Sequence, residues 1–160
     1  MTRTLVLLRH AKSEWPDGVP DAQRPLGQRG RRDAPAVGRW LRAQVTRIDL
    51  VVCSPAVRAV QTWELAAPQL DAAPAVRHDE RLYGASAEEL LTVTRQLPDT
   101  ASTVALVGHN PGLEDFLELL AGAVDVLRTS AIAVIVTPAH WAETAAGSGT
   151  LAALATPRGQ

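Results

Sequence analysis

Short apolar runs closed by charge or glycine alternate along this chain with stretches in which apolar residues return at every third or fourth position. Residues 4–8, 50–53, 103–107 and 131–137 are of the first kind, and runs so short and so apolar mark strands buried on both faces of a sheet. A weaker extended segment lies at 75–78, and 151–155, after the turn-like residues 145–149, fits an edge strand. Ala34, Val37, Trp40, Leu41 and Val45 trace one face of a helix over residues 28–45. Ser54-Pro55 reads as an N-cap and first-turn pair that opens a helix to about residue 70. Asn110-Pro111 reads as a second such pair, ahead of the stripe Leu113, Phe116, Leu117 and Leu120. Ser86 and Glu89 have capping-box spacing for one more helix. This alternation predicts an α/β fold with a mainly parallel sheet covered on both faces and an antiparallel edge strand near the carboxyl end. No repeat or linker interrupts it, so residues 1–160 are read as a single domain.

Composition narrows the picture in three ways. A chain of 160 residues can bury one good core but not two. With 46% hydrophobic and 21% charged residues and a net charge of -1, it has the balance of a soluble globular protein. It lacks a general attraction for nucleic acid or membrane, so any attraction for an anion has to be local. Its one cysteine, Cys53, excludes an intramolecular disulfide, and no Cys/His spacing resembles a zinc site. Neither a leader pattern nor a run of about 20 apolar residues is seen, so a cytoplasmic location is expected. The chain is expected to be a monomer without a cofactor.

The chemistry stands at strand ends. Arg9 and His10 close the first apolar run, Arg58 follows the second, and His109 follows the third. The carboxyl edge of an open α/β sheet is where ligands bind, so residues far apart in sequence can meet there. Two arginines and two histidines suit a dianionic phosphoryl group: the guanidinium groups give charge-assisted, bidentate bonds to its oxygens, and a neutral histidine can attack phosphorus. His10 is read as that nucleophile. His109, if protonated beside the phosphate, adds a donor. One ring nitrogen of His10 must be held by an acceptor, which the sequence does not identify. The polar stretch 11–27 is long for a connector and is expected to lie over the site.

The same residues resemble the signature segments of the histidine phosphatase, or phosphoglycerate mutase-like, superfamily. They are Leu8-Arg9-His10-Ala11-Lys12-Ser13, the stretch from Ser54-Pro55 through Arg58 to Gln61-Thr62, and Val107-Gly108-His109-Asn110-Pro111. Arg24-Pro25-Leu26 followed by Gly30, and Asp79-Glu80-Arg81-Leu82-Tyr83, are most similar to the SixA-type phosphohistidine phosphatase branch. The resemblance implies a three-layer α/β/α sandwich and a phosphatase without a metal, in which His10 is phosphorylated among Arg9, Arg58 and His109. It points to Glu80 as the proton donor, with Lys12, Ser13 and Asn110 as candidate substrate contacts. The substrate it implies is phosphohistidine in a partner protein. A small phosphate ester and a non-catalytic phosphate-binding module are the alternatives. Ala11 stands where glycine is commonest in the superfamily, and Pro16 lies near the place of the mutases' phosphate-contacting asparagine; both disfavour a mutase. The chain has little room for a cap, so a shallow site open to a protein side chain is expected.

Simpler readings bear on several of these residues. Lys12 fits a surface charge as well as a ligand, and Glu80 a solvated loop. His78 and His140 read as surface or packing residues, and Trp40 and Trp63 as core. Trp15 either edges the pocket or packs the loop onto the domain. Cys53 and Arg58 enclose one residue too few for a cysteine-phosphatase loop, so Cys53 reads as a buried strand end. A metal hydrolase with His10 and His109 as ligands is a further alternative.

Overall fold

A computed structural model describes residues 2–138 and 140–160. Within them six strands, β1 (Thr2–Arg9), β2 (Leu50–Cys53), β3 (Ala75–His78), β4 (Thr103–Gly108), β5 (Ile132–Pro138) and β6 (Thr150–Ala155), form one sheet in the order β3-β2-β4-β1-β5-β6. Helices α1 (Gln28–Gln44), α2 (Val57–Ala66), α3 (Ala87–Arg95) and α4 (Gly112–Ala121) connect them. The period-two alternation of β1 divides the core: Leu5 and Leu7 pack with Leu90, Phe116 and Leu117 of α3 and α4, whereas Val6 and Leu8 pack with Val37, Leu41 and Trp63 of α1 and α2. The result is a three-layer α/β/α sandwich. No helix is long and apolar enough to cross a membrane among the described residues.

Strands β3, β2, β4 and β1 run parallel, β5 is antiparallel to β1, and β6 is antiparallel to β5. The reversed strand is therefore β5, one place in from the edge, and the edge strand β6 runs with the rest. The path of residues 122–131 explains the reversal. The Leu127 carbonyl accepts from Arg9 at 2.9 Å, and the Arg9 N–H donates to the Ala131 carbonyl at 3.0 Å, so the chain crosses the carboxyl edge and enters β5 from that side.

Two helix starts differ from expectation. α2 begins at Val57 with Ala56 as its N-cap, and the Ser54 hydroxyl accepts the Ala56 N–H at 3.2 Å instead of capping the helix. α4 begins at Gly112 after a cis Asn110-Pro111 peptide bond, and the Asn110 side chain does not cap it because its amide donates to the Leu127 carbonyl at 2.7 Å. α2 also stops earlier than the pattern implied, at Ala66. A 3-10 turn, Ala67–Gln69, follows with Pro68, which has no N–H to continue the helix. The Ser86/Glu89 capping box is present in full.

Candidate active site

The carboxyl edge of the sheet delivers the chemistry. Arg9 ends β1 and His10 follows it, Ser54 follows β2, and His109 follows β4, so register alone brings these residues together. Arg58 reaches the same place from the first turn of α2. Arg9, His10, Arg58, His109 and Asn110 line one cavity of about 250 Å3, together with Lys12, Ser13 and Trp15 from the loop after β1. Glu80 is not among the lining residues. It lies exposed on a 3-10 turn, Glu80–Leu82.

His10 is buried, and its Nδ1 lies 2.7 Å from the Ala11 carbonyl oxygen, an acceptor only. Nδ1 therefore carries the proton and donates, which leaves the lone pair on Nε2. The Ala11 peptide is fixed in turn, because its N–H donates to Thr62 Oγ1 at 2.9 Å and that hydroxyl donates to the Arg58 carbonyl at 2.7 Å. Burial pushes the His10 ring down to about 3, and the charges of His109, Arg58 and Arg9 act in the same sense. His10 is thus neutral at ordinary pH.

His109 stands 5.1 Å from His10 between ring centroids, with Tyr83 edge-on to it at 5.6 Å. Burial, then Arg58, lowers its pKa to about 4, so the ring is neutral in the free site rather than protonated. Its Nε2 is 2.8 Å from Ser54 Oγ. His109 Nδ1 is buried without a hydrogen-bond partner among the described residues, as are Arg9 Nε and Arg58 Nε. Three buried nitrogens without a partner on residues lining one cavity, two of them guanidinium donors, are costly unless a ligand meets them.

Two residues outside the expected set organise the site. Arg24, buried and lining the cavity, donates to Glu14 O at 3.0 Å, Asp21 Oδ1 at 2.9 Å and Ser13 Oγ at 2.7 Å. The exposed Trp15 ring lies over its guanidinium, 3.2 Å from centroid to Cζ, so Trp15 edges the pocket instead of packing the loop. Asp21 also accepts from Arg58, at its backbone oxygen (2.7 Å) and at Oδ2 (3.1 Å), and from the Tyr83 hydroxyl. Tyr83, Arg24 and Arg58 hold its carboxyl well below the usual range. Asp21 and Arg24 thus tie the loop after β1 to α2. Arg24 stands in the Arg-Pro-Leu segment, but nothing in the spacing gives it a role or singles out Asp21.

The other readings resolve simply. Cys53 is fully buried in β2, and burial pushes its thiol up to about 12, unsuited to a thiolate nucleophile. His78 and His140 are exposed, Trp63 is buried and Trp40 half-buried. No three His, Cys, Asp or Glu side chains are grouped to hold a metal among the described residues.

The family model described as histidine phosphatase superfamily (branch 1) matches residues 5–131. The chain belongs to that superfamily. A candidate phosphohistidine phosphatase SixA of Nakamurella multipartitia superposes with a TM-score of 0.88 at 34% identity, over 98% of this chain and 97% of its own. Its counterpart from Agrobacterium tumefaciens gives 0.82 at 25% identity, over 97% and 98%. An uncharacterized Mycobacterium tuberculosis protein, Rv1276c, is 40% identical over 162 residues, covering 94% of this chain and 100% of the relative. The chain groups with the SixA-type branch of the histidine phosphatase superfamily, and this likeness supports a phosphatase of that superfamily.

Proposed function

We propose that this histidine phosphatase removes the phosphoryl group from phosphohistidine in a partner protein through a phosphoryl-His10 intermediate. Nε2 of His10 attacks phosphorus while Nδ1–H stays on the Ala11 carbonyl. The substrate P–N bond breaks, its electron pair returns to the leaving imidazole, and that nitrogen takes a proton from water. Water then attacks phosphoryl-His10, the new P–N bond breaks, and inorganic phosphate leaves with His10 restored. Arg9, Arg58 and His109 stabilise the phosphoryl oxygens through both steps. Lys12 and Asn110 stand at the cavity as substrate contacts, and Ser13 acts through Arg24.

One observation carries the choice of substrate: no carboxyl group is among the described side chains lining the cavity. An alkyl phosphate needs a general acid for its poor leaving group, whereas an imidazole leaves well and takes its proton from solvent. Glu80, exposed and off the cavity, is left without a step.

The test is a rate comparison on a phosphohistidine peptide, a phosphoserine peptide and an aryl phosphate, with trapping of phosphoryl-His10 by mass spectrometry. Phosphohistidine is expected to lead and His10→Ala to abolish turnover and adduct. Full activity of His10→Ala sinks the mechanism. A lead for the aryl phosphate favours the small-ester reading, and binding without adduct or turnover favours the docking module.

A further inference from the structure

Arg9 and Lys12 serve two cavities. With Thr129 they line the phosphate cavity and also a neighbouring hollow of about 300 Å3. Arg29, Arg128 and Arg158 complete the cationic side of that hollow, against a single lining carboxylate, Glu114. Glu114 is committed, because it accepts the Leu127 N–H at 2.7 Å. Asp33, buried behind the hollow, accepts from Arg158 at 3.1 Å and from the Gly159 N–H at 2.9 Å, and lies 3.8 Å from Arg29. Lys12 and Arg128 are exposed and have no carboxylate within ion-pair distance among the described residues. On a chain of net charge -1 this is a local excess of positive charge, and it adjoins the reaction site.

We propose that this hollow is a docking groove for an acidic segment of the phosphoprotein substrate, the residues that flank its phosphohistidine. The inference rests on the phosphatase reading above and adds what the substrate must look like beside the phosphoryl group. Arg9 is the joint, with the phosphate cavity on one side and the groove on the other. The exposed Val126 gives the groove an apolar lip that a free ion would not use. Cations at such a rim speed encounter and lower KM more than they change the chemical step, and their effect fades with salt.

Three phosphohistidine peptides that differ only in flanking Glu, Ala or Lys residues test this, with a small bisphosphate as a fourth substrate. The acidic peptide is expected to exceed the alanine peptide by about tenfold in kcat/KM at low salt, the gap closing near about 0.5 M. The double variant Arg29→Glu/Arg128→Glu, which leaves the residues lining the phosphate cavity in place, should lose that preference and keep the parent rate on an aryl phosphate. A second readout does not need turnover. Lys12 is the only lysine, so carbodiimide coupling of an N-acetylated, lysine-free acidic peptide should attach at Lys12 and fail in the double variant. Equal rates for acidic and alanine flanks overturn the groove, and a faster bisphosphate overturns its protein occupant. If no phosphate is turned over, the phosphatase reading falls and coupling alone decides: attachment at Lys12 upholds the groove, and its absence overturns it.

Discussion

Thr62 decides where the His10 ring points, although it lies a full turn beyond Arg58 on α2 and does not line the cavity. Its hydroxyl fixes the Ala11 peptide, whose carbonyl holds Nδ1 of His10. Thr62→Val keeps the shape but leaves the buried Ala11 N–H unpaired, at a cost of about 1–3 kcal/mol. It should lower kcat more than KM, and steady-state kinetics beside a denaturant titration will show whether it does. Cys53→Ser should do the reverse: a hydroxyl replaces the thiol inside an apolar cluster, so the melting temperature falls while turnover of the folded protein stays near the parent. That His10, Arg9, Arg58 and His109 meet was legible in the sequence, because Arg9 and His10 close one strand, His109 follows another, and Arg58 lies in the helix turn after a third. Asp21 and Arg24 were not, because they act through a long loop whose path is set by contacts and has no period. In the sequence Ser54 reads as a helix cap. Its hydroxyl serves His109, and a cap and a ring partner look the same in one dimension.

At the scale of elements, the loop after β1 and the first turn of α1 form one unit. Gly27 N–H donates to the Lys12 carbonyl at 2.9 Å, Ser13 bridges to Leu26, and a Cβ on Gly30 would come within 2.1 Å of Lys12 O. That oxygen is backbone and cannot swing aside, so the helix approaches the loop only because residue 30 is glycine. Gly30→Ala should therefore displace the backbone that follows His10, destabilise the fold by about 1–3 kcal/mol and depress turnover on every substrate alike. Thermal melts and rates on two unlike phosphates measure both effects. Full rates with a parent-like melt would show that the loop does not depend on this approach. Strands and α1 were readable to within a residue or two because hydrophobic period fixes them. The starts of α2 and α4 also fall within one or two residues of expectation, but their caps differ, since local hydrogen bonds take the Ser54 and Asn110 side chains elsewhere.

For the whole molecule, folding confines two neutral histidines where solvent would charge them. An unfolded histidine takes its proton near 6.5, but His10 resists until about 3 and His109 until about 4. Between those limits the unfolded chain binds more protons than the native one, so stability is highest above 6.5 and falls as the pH falls. Each ring contributes a slope of up to about 1.4 kcal/mol per pH unit. Denaturant titrations from pH 6.5 to 4.5 should give a shallower slope for His10→Ala than for the parent; equal slopes would mean that His10 is not held neutral. The sheet order has a consequence of another kind. β1, which carries Arg9 and leads to His10, is central, and its partners are residues 103–108 and 132–138. Such distant pairings form slowly, after long loops have closed. During synthesis β1 therefore emerges well before either of its partners, and its end gains the surroundings described above only after residues 103–138 have been made.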